Sequence, residues 1–103
     1  KIPELFPHNP DARNWFAGND PLIQETEFRN SSLQGAYFMI AARSLGLDCG
    51  PMSGFDPAAV NDAFFPDGKV KANFICNIGY GDAGREMFER SPRPPFDDAC
   101  SIV

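Results

Sequence analysis

The sequence holds one histidine, His8, in a stretch broken by Pro3, Pro7 and Pro10. Ser–His and Cys–His nucleophile devices both need a histidine base, so either would have to use this loop residue. A solvated loop histidine is the plainer reading. Cysteine is also sparse: Cys49, Cys76 and Cys100, an odd number at wide spacing. This argues against a disulfide framework, a zinc cluster or any other protein-ligated metal, and suits a reducing, cytoplasmic compartment. Basic residues are outnumbered 9 to 14, for a net charge of −5. Binding to a phosphate backbone needs a concentrated basic surface, so neither nucleic acid nor an acidic membrane is an expected partner. No run of ~18 apolar residues offers a transmembrane helix. No basic-then-apolar segment opens the chain, so no signal peptide is expected. The first residue is Lys1 and not a methionine, which suggests a fragment, a processed chain or part of something longer.

What is present fits one small domain: 103 residues, 10 phenylalanines, 10 prolines and 9 glycines. The phenylalanines must be buried in a core, a partner or a cofactor site. Residues 1–20 read as irregular, with Trp15 and Phe16 as anchors. Asp20 is placed to cap a helix that has Pro21 at its first position, and no proline interrupts Leu22 to Leu45. Leu33, Ala36, Tyr37, Ile40 and Ala41 form a helical stripe, and Gly46 sits where a left-handed C-cap belongs. At ~25 residues this helix is ~37 Å long, more than a compact domain of this size spans. Small residues (Ser31, Ser32, Gly35, Ala36, Ala41, Ala42) fill its middle, which points to a central or dimer-interface helix.

Gly50 to Gly54 then reads as a tight loop with exposed backbone, or simply as a connection between helices. Asp56-Pro57 starts a second helix that ends near Phe64 or Phe65. Lys71 to Ile78 is the one convincing strand, apolar on both faces around Phe74-Ile75-Cys76. A lone strand is not a sheet, so other strands are expected from residues outside this chain, from a partner, or from both. A short helix over roughly Gly84 to Phe88 is possible. Ser91 to Pro95 is extended, Asp97-Asp98 looks like a helix cap, and the tail from Phe96 to Val103 is a short helix or an added strand.

Two tempting motifs fail. Gly79-x-Gly81-x-x-Gly84 follows a strand as the dinucleotide fingerprint does, but the proline-rich stretch after Arg90 breaks the chain before a second strand. Ser53 lacks the flanking glycines of a hydrolase elbow, because Pro51 and Phe55 occupy those places. Two features survive. The N–H groups of the Gly50–Gly54 loop suit a polarised ring nitrogen or carbonyl. Arg90 and Arg93, on a rigid extended segment, are able to hold a phosphate; the plainer reading is a solvated pair.

The stretches Leu5–His8, Glu25–Gln34, Ala41–Asp56, Asn77–Asp82 and Ser91–Arg93 together resemble the nitroreductase family, nearest its malonic semialdehyde reductase, or 3-hydroxypropionate dehydrogenase, branch. The Gly-Pro-Met-Ser-Gly-Phe-Asp stretch is the most specific part. The resemblance implies an α+β fold with a central mixed sheet and a long interface helix, in an intertwined homodimer that binds FMN at its interface. It makes residues 1–103 the C-terminal half of a single FMN-binding domain. It also implies that Pro51, Met52, Ser53 and Gly54 run along the flavin, with the Ser53 or Gly54 N–H near the reactive ring nitrogen. Arg90 and Arg93 would contribute to the FMN phosphate. Family members often space that basic pair by one residue, and here two intervene. The implied activity is ping-pong reduction of a small aldehyde such as malonic semialdehyde by NAD(P)H, with no side chain of this segment as acid or base. The alternatives are a nitro or quinone reductase of the same fold, or a non-catalytic dimerisation or ligand-binding module.

Overall fold

A computed structural model describes residues 1–82, 84–85 and 88–103. The chain begins with a short helix, α1 (Ile2–Leu5), and a 3-10 helix (Pro10–Trp15). Residues 1–20 are therefore less irregular than expected. Pro3 and Pro10 sit at helix starts, where a missing N–H costs nothing. Phe6 is the hub of this segment, with His8 at 3.9 Å and the Trp15 ring edge-on at 6.1 Å between centroids.

The long helix α2 runs Asp20–Ser44. Its cap is Asn19, one residue earlier than expected: Asn19 Oδ1 accepts the Leu22 N–H at 3.2 Å. Gly46 follows its end at φ +81°, a left-handed position that glycine adopts without strain. Strand β1 (Asp48–Met52) comes next, then α3 (Pro57–Phe64), β2 (Ile75–Gly79) and α4 (Phe96–Ala99). Asp56 caps α3 as expected, its Oδ1 accepting the N–H groups of Ala58 at 2.9 Å and Ala59 at 3.2 Å. Asp97 and Asp98 lie in the first turn of α4 and make no side-chain cap. The helix expected over Gly84–Phe88 falls partly outside the described residues.

The strands depart from expectation in two ways. Gly50-Pro51-Met52 is not loop but most of β1, paired antiparallel with β2 in the register Asp48↔Gly79, Gly50↔Asn77 and Met52↔Ile75. A glycine and a proline suppress strand propensity locally, and pairing across the sheet overrides that. β2 begins at Ile75, four residues later than expected. The chain just before it is committed elsewhere: the Ala72 N–H goes to Asn61 Oδ1 of α3 at 2.7 Å, and Asn73 Nδ2 donates to Ser31 Oγ at 2.7 Å and Ser32 Oγ at 2.9 Å on α2. Helices with a small antiparallel sheet make an α+β arrangement, and these two strands form the only sheet among the described residues.

The small residues of α2 serve this packing. Phe74 lies over Gly35 so closely that a β-carbon there would overlap its ring. The strip Ser31–Ser32–Gly35 thus receives residues 73–74 of the same chain. The expected apolar stripe is left bare: Leu33 is 56% exposed, Tyr37 75% and Ile40 65%. Phe28 and Phe38, on other sides of the helix, are exposed as well. Large apolar side chains thus stand on several sides of α2 among its charged and polar ones, and among the described residues the buried apolar side chains are only Ala12 and Ala42.

Candidate functional site

The segment Pro51–Gly54 begins on the last two residues of β1 and leaves the sheet at Ser53. The antiparallel ladder to β2 and the Asp56 cap of α3 hold it from either side. Among the described residues, no protein acceptor takes the N–H of Ser53 or of Gly54. Nothing stands within 4 Å of where a Gly54 β-carbon would be. Two unspent donors on open backbone suit an anionic or polarised planar ligand, so this segment fits the ring contact that the sequence resemblance implies for FMN.

Arg90 and Arg93 lie on the exposed segment beyond β2. Arg93 turns back on its own chain, Nη1 donating to the Ser91 carbonyl oxygen at 2.8 Å. Neither arginine forms an ion pair or bonds to Pro51–Gly54 among the described residues, so the structure does not join the two groups directly. Both guanidinium groups are available to an anion.

Sequence reasoning missed a linkage beside this site. Arg43, in the last turn of α2, donates through Nη1 to the Leu47 carbonyl oxygen at 3.1 Å and forms an ion pair with Asp48 Oδ1. Asp48 Oδ2 accepts the Gly81 N–H at 2.7 Å. The Gly81 N–H first, and then the Arg43 guanidinium against some burial, hold the Asp48 carboxyl below its usual range. A faint signal existed in the sequence: opposite charges on either side of the helix-ending Gly46. Cys49 and Cys76 share one face of the sheet, diagonal in the register. Partial burial, aided by Cys76, pushes the Cys49 thiol up, so it is protonated at neutral pH. Cys49, Cys76 and Cys100 are all free.

Two cavities are prominent, and neither is lined by Pro51–Gly54, Arg90 or Arg93. One, of about 850 Å³, lies between the first half of α2 and residues 68–73. The other, of about 620 Å³, lies over the sheet between Arg43, Asp48 and Tyr80. No group of three or more potential metal ligands occurs among the described residues. No described helix is long and apolar enough to cross a membrane.

The family model described as "Nitroreductase family" matches residues 6–80. Three curated relatives share the name "Putative NADH dehydrogenase/NAD(P)H nitroreductase". The one from Polynucleobacter asymbioticus is 62% identical over 103 residues, covering 100% of this chain and 52% of its own length. The one from Burkholderia lata is 61% identical over 101 residues, covering 98% and 51%. The one from Rhodopseudomonas palustris is 58% identical over 102 residues, covering 99% and 51%. The chain thus spans about half the length of the curated relatives it matches.

Proposed function

The chain belongs to the nitroreductase family, and from that premise we propose that it is the C-terminal half of an FMN-dependent NAD(P)H oxidoreductase. The observation that carries this reading is the family match across residues 6–80, which takes in the Pro51–Gly54 segment with its two unspent backbone donors. The remaining strands of a central mixed sheet would come from the other half of the domain. The bare faces of α2 would be covered by that half and by a second subunit in an intertwined homodimer, with FMN at the interface. The three free thiols accord with a reducing, cytoplasmic compartment.

In this reading the Ser53 and Gly54 N–H groups face the flavin ring, with Pro51 and Met52 alongside, and Arg90 and Arg93 hold the phosphate. When bound, FMN supplies two-electron hydride chemistry in a ping-pong cycle between NAD(P)H and a small aldehyde such as malonic semialdehyde. The contribution of this chain is orientation and electrostatics. Fixed N–H donors favour negative charge on a ring nitrogen and need no reorganisation when it develops. No titratable side chain lies in Pro51–Gly54, so a proton would come from water or from residues outside this chain. A second reading, nitro or quinone reduction on the same fold, draws on the relatives' names.

The test is a visible spectrum of the desalted full-length protein, taken anaerobically before and after NADPH and NADH. Flavin bands that bleach support the reductase. A colourless protein that does not take up added FMN sinks it and leaves a non-catalytic dimerisation or ligand-binding module. Turnover of malonic semialdehyde against a nitroaromatic and a quinone then ranks the substrates.

A further inference from the structure

The fold brings the thiols of Cys49 and Cys76 together, and the flavin reading uses neither. Their wide spacing in the sequence argues against a metal site, but the ladder between β1 and β2 removes that separation. Cys49 faces Ile78, and Cys76 faces Pro51, two residues on from Cys49. The two thiols therefore lie diagonally on one face of the sheet. That face looks toward α2, where the Cys49 thiol donates to the Met39 carbonyl oxygen at 3.9 Å. Cys76 acts on the Cys49 thiol both by charge and as a side-chain hydrogen-bond partner, which makes the two sulfurs close neighbours. Both residues are half-buried, and neither is in a disulfide.

The spacing selects what can join them. Diagonal neighbours across an antiparallel pair stand about 7–8 Å apart, whereas a disulfide seats its Cα atoms about 4.4–6.8 Å apart. A direct bond would therefore distort the ladder. An ion between the sulfurs adds about 2.3 Å of reach on each side, the length of a zinc–thiolate bond. Zinc itself requires a shell of four ligands, and no group of even three potential ligands occurs among the described residues. Two soft sulfurs suit a soft ion of low coordination number. We propose that Cys49 and Cys76 form a two-thiolate site for a soft monovalent cation of the copper(I) class. On binding, both S–H bonds break, two sulfur–copper bonds form and two protons pass to solvent. Copper stays at +1 and neither sulfur is oxidised. Neither residue is among those assigned to FMN, so the site is independent of the flavin reading.

The experiment uses the full-length protein, reduced and anaerobic, and copper(I) itself, titrated in competition with bicinchoninate. Wild type takes up about one equivalent more than Cys49→Ser, Cys76→Ser or the double variant. The three variants match one another, because one thiolate does not hold the ion alone. Cys100→Ser keeps the wild-type stoichiometry. If the variants do not accumulate folded, wild type alone decides. Copper(I) then shields Cys49 and Cys76 together from iodoacetamide and leaves Cys100 open, as read by peptide mass spectrometry. Equal stoichiometry in wild type and either single variant overturns the site. So does alkylation of Cys49 or Cys76 at the same rate with and without copper(I).

Discussion

Residues 1–103 expressed alone are expected not to fold cooperatively. The structure exposes 9308 Å², whereas a folded monomer of 11.3 kDa exposes about 5,700 Å². The excess of about 3,600 Å² on this one chain is more than four times the ~800 Å² that each partner buries in a standard protein–protein interface. The radius of gyration agrees: 18.4 Å against about 13 Å for a compact chain of this length. With Phe28, Leu33, Tyr37, Phe38 and Ile40 all exposed on α2, too little apolar area is removed from water to offset the entropy of ordering the chain. The assay is urea unfolding of the 103-residue piece by near- and far-UV circular dichroism, beside the full-length protein. The piece should give a sloping, non-cooperative far-UV signal and little near-UV signal, and the full-length protein one sharp transition. A concentration-independent two-state transition of the piece, with an m-value of about 1–3 kcal/mol/M, would refute the reasoning.

Other perturbations test individual links in the full-length protein. Arg90→Ala should weaken FMN binding about tenfold; an unchanged Kd in a titration counts against the phosphate role. Asp56→Ala removes the acceptor of two N–H groups at the start of α3 and should cost about 1 kcal/mol, read as a Tm lowered by about 2–4 °C. Gly35→Val drives a branched side chain into the Phe74 ring and should cost about 1–3 kcal/mol in urea melts; a neutral result means that the ring does not pack there. The Asp48 carboxyl is depressed in the folded state, so its stabilisation is complete above the ordinary value of 3.8 and is lost as pH falls through the lower folded value. Asp48→Asn should remove that part of the acid-side slope, and a stability–pH profile identical to wild type argues against the link.

Legibility followed the range of the interaction involved. The extent of α2 and the cap of α3 could be read from local chemistry, to within one residue at Asn19 and at the residue itself for Asp56. The Pro51–Gly54 segment could be singled out because glycine and proline at that spacing mark exposed backbone. The same residues concealed β1, whose existence depends on Asn77, Cys76 and Ile75 lying opposite. The delayed start of β2 was hidden for a similar reason, since Ala72 and Asn73 bond to residues 11 and more than 40 positions away. No motif joined Arg43, Asp48 and Gly81 to one another, and they come together because a folded ladder brings the third to the second.

By itself, the sequence determined the extents of α2 and α3, the cap of α3, the family and the residue types available to an anionic planar ligand, because each depends on neighbours within a few positions or on a recognisable run. Tertiary structure alone decided which face of α2 is covered and which is bare, that Gly50-Pro51-Met52 is strand, and that one carboxylate ties the chain beyond β2 to the rest. Those outcomes depend on contacts between residues distant along the chain, whose closure entropy is offset only once the whole arrangement is in place.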